Sequence, residues 1–187
     1  RDSDTGWHIR TGEAILAGSG LPGTDPYSFS RAGEPWFAWE WAAAAAMGLA
    51  HRAGGLGGVA LFYAVAIAAA AALWFRLPWA VGGDFLLACL LASPMLSTVN
   101  LHWLARPHVL GWLFLLGALL YLERAAFRRA HAPAIGVFSA LWANVHASFV
   151  LAPVIAMLFA LEDRWYLKAD AVAAIAPLLN PYGPQLY

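Results

Sequence analysis

The sequence predicts an all-α fold, a polytopic bundle of transmembrane helices, and three observations carry that expectation. Hydrophobic residues make up 61% of the 187 and charged residues only 12%, with a mean hydropathy of +0.62. A water-soluble domain of this size carries about 25% charge. Six apolar runs follow one another, at roughly 57–75, 79–99, 108–123, 133–147, 148–162 and from 169 to near 180. Polar residues, by contrast, gather in residues 1–35 and in short stretches between the runs. The same composition excludes other classes. Eleven Lys plus Arg balance eleven Asp plus Glu, so no basic surplus exists to hold nucleic acid. The single cysteine, Cys89, lies in an apolar run, which leaves neither a disulfide framework nor a Cys-based zinc site.

Residues 1–56 read as a loop outside the bundle that carries two amphipathic, interfacial helices. The first runs from Thr5 to Leu16, with Asp4 or Thr5 as N-cap and Gly18 or Gly20 beyond its end. The second begins near Pro35 and runs to about Ala50, with Gly54-Gly55 as its stop. Trp36, Trp39 and Trp41 suit a membrane interface, and Glu40 is costly at bilayer depth. Residues 57–187 then form the bundle of about six short spans. Residues 133–162 should break near Asn144 to Ser148, because one helix of that length would rise ~45 Å against a ~30 Å hydrocarbon core. The chain reads as part of a longer protein, with at least one further span ahead of Arg1 and more sequence beyond Tyr187.

Charge sets the orientation. Arg76, Arg124, Arg128, Arg129, Arg164 and Lys168 fall in the inter-span loops of one side, whereas the other side's inter-span loops carry only Arg106, and Arg52, just before the first span, adds one more. The positive-inside rule puts the first group in the cytoplasm; residues 1–56 are then outside with helix 36–50 along the interface, whereas a spanning helix there would put residues 1–35 inside. Four polar stretches then converge on the outer face: Asp2 to Glu34, His102 to His108, Asn144 to Ser148 and Asn180 to Gly183. Asp84 lies near the inner end of its span and is expected to pair with Arg76.

Each stretch admits a chemical and a plain reading. In Asp2-Ser-Asp4-Thr-Gly-Trp-His8-Ile-Arg10 a carboxylate could act as general base or hold a divalent cation, and the arginine and histidine could face a phosphate. Alternatively, Asp4 caps the helix and Arg10 pairs with headgroups. Asp25, in Thr24-Asp-Pro-Tyr-Ser-Phe29, fits a turn better than catalysis. In His102-Trp-Leu-Ala-Arg106-Pro-His108 the arginine needs a partner, which a lipid-linked phosphate, a headgroup or an outer carboxylate would supply. Trp142-Ala-Asn144-Val-His146-Ala-Ser148 is either a hinge satisfied by neighbouring backbone or a substrate contact. No phosphate-binding loop, nucleophile elbow or zinc-protease motif occurs, and the six histidines show no metal-ligand spacing.

Taken together, Asp4-x-x-Trp7-His8-x-Arg10-Thr-Gly12-Glu, Thr24-Asp-Pro-Tyr-Ser-Phe29, Gly33-x-Pro-Trp36, Glu40-Trp41, Ala105-Arg-Pro107, Leu141-Trp-Ala-Asn-Val-His146 and Asn180-Pro-Tyr-Gly183 resemble bacterial polytopic proteins of the GT-C glycosyltransferase superfamily. The resemblance implies a GT-C-like fold in a bacterial cytoplasmic (inner) membrane, multi-pass, with residues 1–56 on the periplasmic side. It further implies transfer of a sugar from a polyprenyl-phosphate donor to an acceptor on the outer face. By this resemblance the catalytic carboxylate is Asp4, with Asp2 second. His8, Arg10, Asp25, Arg106, His108, Asn144 and His146 are then the candidate substrate-binding residues. A divalent cation could assist the leaving phosphate, although no residue pattern fixes one. The lipid bilayer, the lipid-linked sugar and other membrane subunits are the expected partners. Two rivals stand beside the enzyme: a non-catalytic scaffold subunit on the same fold, and a transporter, for which no internal repeat speaks.

Overall fold

A computed structural model describes residues 3–124 and 131–187 of the chain. Among these residues the secondary structure is helical throughout, apart from one isolated bridge between Thr24 and Pro35. Seven α-helices follow in order: α1 (Thr5–Leu16), α2 (Trp41–Ala80), α3 (Phe85–Val99), α4 (Pro107–Arg124), α5 (Ala132–Val145), α6 (Leu151–Ala160) and α7 (Tyr166–Ile175). Short 3-10 turns extend α3 at Asn100–His102, precede α6 at Ala147–Val150 and follow α7 at Ala176–Leu179. Two stretches, Trp41–Ala80 and Phe85–His102, are long and apolar enough to cross a membrane. Helix α4 has 18 residues but ends in Glu123 and Arg124, the later apolar runs form shorter helices, and α5 with its 14 residues rises only about 21 Å.

One departure from the sequence reading concerns the start of α2. The helix starts at Trp41 rather than near Pro35, because the preceding residues are spent on a turn. Asp25 N–H donates to the Glu34 carbonyl, Gly33 N–H to the Asp25 carbonyl and Trp36 N–H to the Gly23 carbonyl, which holds residues 23–36 as a closed loop. Gly54-Gly55 interrupts the helix where the sequence reading placed its stop: the backbone leaves helical geometry there, with φ −153° at Gly54 and φ +59°, ψ −150° at Gly55, and a second helical half follows across the kink. A side chain disfavours the second conformation, so the bend needs glycine there.

Asp84 departs from expectation as well. Its Oδ1 accepts the Leu87 N–H at 2.9 Å and caps α3 instead of pairing with Arg76. The expected break in 133–162 is present: α5 ends at Val145, and His146 is extended at φ −161°, ψ 145°. Arg128 and Arg129, used for the orientation, lie outside the described residues.

Packing gathers α1, both halves of α2 and α4 around Ile9, Met47, Val59, Tyr63, Ala66 and Val109. A second cluster around Trp142, Phe149 and Ala173 joins α5, α6 and α7. Among the described residues the α1–α2 contact is the closest that an added Cβ would break. A Cβ on Gly12 would stand 1.8 Å from the Ala44 carbonyl oxygen, and one on Gly48 would stand 2.6 Å from the Gly12 carbonyl carbon. Glu13 adds polar ties, accepting from the Arg52 guanidinium through its carbonyl and meeting the His51 ring at 2.6 Å through its carboxylate. Helix α1 is thereby fixed on the first half of α2. By contrast, α3 leaves Phe85, Leu86, Leu90 and Leu91 exposed, an apolar face suited to lipid or a partner helix.

Candidate functional site

The N-termini of α1, α2 and α4 and the C-terminus of α5 meet at one end of the bundle, and four of the sequence candidates come together there. Asp4 occupies the N-cap position of α1 but makes no side-chain capping bond. Its carboxylate instead meets the Arg106 guanidinium at 3.1 Å, with both side chains about one-third exposed. This places Asp4 outside the plain capping reading and gives Arg106 the carboxylate partner that was one of its open alternatives. Thr5 Oγ1 donates to the Ala105 carbonyl, which ties the start of α1 to the same loop.

His8 follows one turn after Asp4, so both point from the same side of α1. It is buried, and its Nε2 lies 3.7 Å from Glu40 Oε2. The other carboxyl oxygen of Glu40 approaches His146 Nε2 at 3.4 Å. The tautomer of His146 follows from its other nitrogen. Ser148 N–H donates to Nδ1 at 3.1 Å, so in the neutral ring the proton sits on Nε2 and faces Glu40. Ser148 Oγ in turn accepts from Trp142 Nε1–H at 3.0 Å. The hinge can press this close to α4 only because Gly111 lacks a Cβ, which would stand 2.7 Å from Ser148 Oγ and 3.0 Å from His146 Nδ1.

Burial pushes the Glu40 carboxyl up to about 7, and the negative charge of Asp4 adds to the rise. Burial likewise pulls the His146 ring down to about 4, with a smaller contribution from the charge of His108. Their contact is therefore a neutral imidazole N–H facing a carboxyl group, rather than a full ion pair. A pH dependence follows. Glu40 holds its proton more tightly folded than unfolded, so stability falls as pH rises from 4.5 through about 7. His146 resists its proton when folded, so stability also falls as pH drops from 6.5 through about 4. Glu40→Gln should remove the first slope and leave the second, read as thermal unfolding midpoints in detergent across that range. Parallel profiles for the two proteins would clear Glu40 of the effect.

The remaining candidates sit differently. Arg10 is exposed on the opposite side of α1 and approaches Glu13 at 3.9 Å. Asp25 accepts from Tyr27 N–H at 2.8 Å and Ser28 N–H at 3.0 Å, the turn that its sequence suggested. Asn144 accepts from Trp41 Nε1–H at 2.6 Å and donates to the Ala140 carbonyl at 2.7 Å, so it fastens α5 to the start of α2. His108 stands near His146, contacts the His102 carbonyl at 2.8 Å and meets the Trp112 ring edge-on. Asp2 lies outside the described residues. Among the described residues no group of three His, Cys, Asp or Glu side chains is arranged to hold a metal ion.

Glu40 is the residue that sequence reasoning passed over, although it stands between two interfacial tryptophans at a helix start. A pocket of about 260 Å³ opens beside it, bordered by His8, Trp36 and Trp41 among others. A separate cavity of about 280 Å³, between α4, α5, α6 and α7, is lined chiefly by small and apolar side chains and touches none of these groups. No protein-family model, curated protein or solved structure matches the chain.

Proposed function

We propose that the protein is a membrane glycosyltransferase that moves a sugar from a polyprenyl-phosphate donor to an acceptor hydroxyl at the outer face of a bacterial inner membrane. One observation carries the reading: Asp4 and Arg106, distant in sequence, meet at 3.1 Å beside the His8, Glu40 and His146 side chains. The motif resemblance to GT-C proteins, and two helices long and apolar enough to cross a membrane, support it.

In the step, the acceptor oxygen attacks the anomeric carbon and passes its proton to Asp4. The bond from that carbon to the phosphate oxygen breaks, and the lipid phosphate leaves with the electron pair. The configuration inverts. The pairing of Asp4 with Arg106 gives this chemistry an order. A donor phosphate competes with Asp4 for the guanidinium and, by taking it, leaves the carboxylate able to accept a proton. Arg106→Ala should therefore raise the KM for donor more than it lowers kcat, since a phosphate contact acts on bound substrate and transition state alike. A fall in kcat alone would take Arg106 away from the donor.

The pairing also favours a second reading, a scaffold subunit in which Asp4 and Arg106 merely hold α1 against the loop before α4. Transfer measurements on Asp4 variants separate the two. The orientation is tested independently. In a Cys89→Ser background, Ser30→Cys should react with a membrane-impermeant thiol reagent added outside intact cells. Reaction only after permeabilisation would put the cluster in the cytoplasm and overturn the topology.

A further inference from the structure

The pocket beside Glu40 has an unusual wall. Trp7, Trp36, Phe37, Trp39 and Trp41 line it together with His8, Thr11 and Glu40. Four tryptophans and a phenylalanine around one carboxyl group exceed what anchoring at a membrane interface needs, because anchors turn their rings toward lipid. Nor is the group ordinary core, as Phe37 and Trp39 remain 40% and 43% exposed.

The wall is also held in place before anything binds. Trp7 and Trp36 meet edge to face at 5.5 Å, and Tyr27 meets Trp36 at 6.0 Å. Thr11 and Tyr27 share a hydroxyl hydrogen bond of 2.9 Å, which joins the loop to α1. Ala38 N–H donates to the Tyr182 hydroxyl at 2.9 Å, and Trp41 Nε1–H to Asn144 at 2.6 Å, fixing the loop to the distant helices. Such preorganisation lowers the cost of binding.

We propose that this pocket is the subsite for the transferred sugar, with Trp36 as its stacking platform, Trp7 behind it stacked on His8 at 3.6 Å, and Glu40 as the partner of a ring hydroxyl. The assignment rests on the transferase reading and adds to it the place and class of the sugar, a pyranose. Three properties point that way. A pyranose presents a face of C–H bonds that suits the electron-rich face of an indole, and a rim of hydroxyls that needs donors and acceptors. The pocket supplies both, aromatic area and the His8, Thr11 and Glu40 side chains. Its volume of about 260 Å³ falls just below the ~300–1,000 Å³ of sites for larger organic ligands and suits a single ring. Finally, Glu40 links the pocket to the proposed base, since it borders the pocket and lies close enough to Asp4 to feel its charge.

Calorimetric titration of the purified full chain in detergent tests this, with farnesyl phosphate and its β-linked glucosyl, galactosyl and mannosyl esters as probes. At least one hexosyl probe should bind about tenfold more tightly than farnesyl phosphate, the scale of a good aromatic contact plus a hydroxyl bond. Trp36→Ala should erase that preference while leaving the affinity for farnesyl phosphate unchanged, and Trp36→Phe should keep most of it. Glu40→Gln, which retains shape, should reduce the preference and serves where Trp36→Ala does not fold. Equal binding of bare and hexosyl probes by the native protein, or a preference that survives both Trp36→Ala and Glu40→Gln, overturns the subsite and leaves the transferase reading standing. No binding of any probe, farnesyl phosphate included, overturns the transferase reading and the subsite with it.

Discussion

Asp4→Asn should leave the protein folded and lower sugar transfer by a factor on the order of 10²–10⁴, the usual contribution of a positioned general base. The fold should survive because the carboxylate makes no capping bond in α1 and its pair with Arg106 is part-exposed. Ion pairs of that kind contribute ~0–1 kcal/mol. Asparagine preserves the side chain's shape and its reach toward Ser3, whose hydroxyl now donates to Asp4 Oδ1 at 3.1 Å. The substitution has a second, separable effect. Without the Asp4 charge, the Glu40 carboxyl should titrate below its present value of about 7. The stability slope attributed to Glu40 should then end at lower pH in the variant. Transfer at the native rate by Asp4→Asn would remove Asp4 from the mechanism, whatever happens to the slope.

Gly12→Ala should be the most damaging substitution outside the cluster. The added Cβ would lie 1.8 Å from the Ala44 carbonyl oxygen and within 3.0 Å of the Gly48 nitrogen. Both are helix backbone, so no rotamer change relieves the overlap, and α1 must move off α2. Overpacking that cannot be relieved locally costs about 3 kcal/mol, which in a chain of this size corresponds to a fall in unfolding temperature on the order of 10 °C. Since α1 also carries Asp4 and His8, donor binding should weaken together with stability. Gly6→Ala makes the control: a Cβ there meets nothing within 4 Å, so this change should leave the unfolding temperature near the native value. An unfolding temperature for Gly12→Ala equal to that of Gly6→Ala would show that the helices are not so closely packed.

Much of this architecture was legible from cost. Placing His146 and Ser148 inside an apolar run is expensive unless the helix breaks there, and the chain does break at His146. The convergence of Asp4, His8, Arg106 and His146 was legible in the same way, from alternation of the runs across a membrane. Two things were not. Arg10 was grouped with Asp4 and His8 by closeness in sequence, but helical geometry places it on the other side, where it is exposed. His8, Ile9, Thr11 and Gly12 form the buried side of α1, and that periodicity could have separated them. Glu40 entered the sequence reading as a charge unwelcome in a bilayer and as part of the Glu40-Trp41 motif, but not as a site residue. Its role depends on Asp4 and His8 of α1 and His146 of the hinge after α5 arriving from two other segments, which local spacing does not encode. The late start of α2 has a similar origin, because the loop is held by Tyr182 from the far end of the chain.

The most direct test of the account is transfer itself. Purified protein in liposomes would be given a polyprenyl-phosphate hexose labelled in the sugar, together with the cell-envelope fraction as a source of acceptor. With the native protein, label should leave the lipid and enter the envelope fraction, and Asp4→Asn, folded and still binding the donor lipid, should abolish this. Loss of label from the lipid at the same rate with the native protein, with Asp4→Asn and with empty liposomes would contradict it.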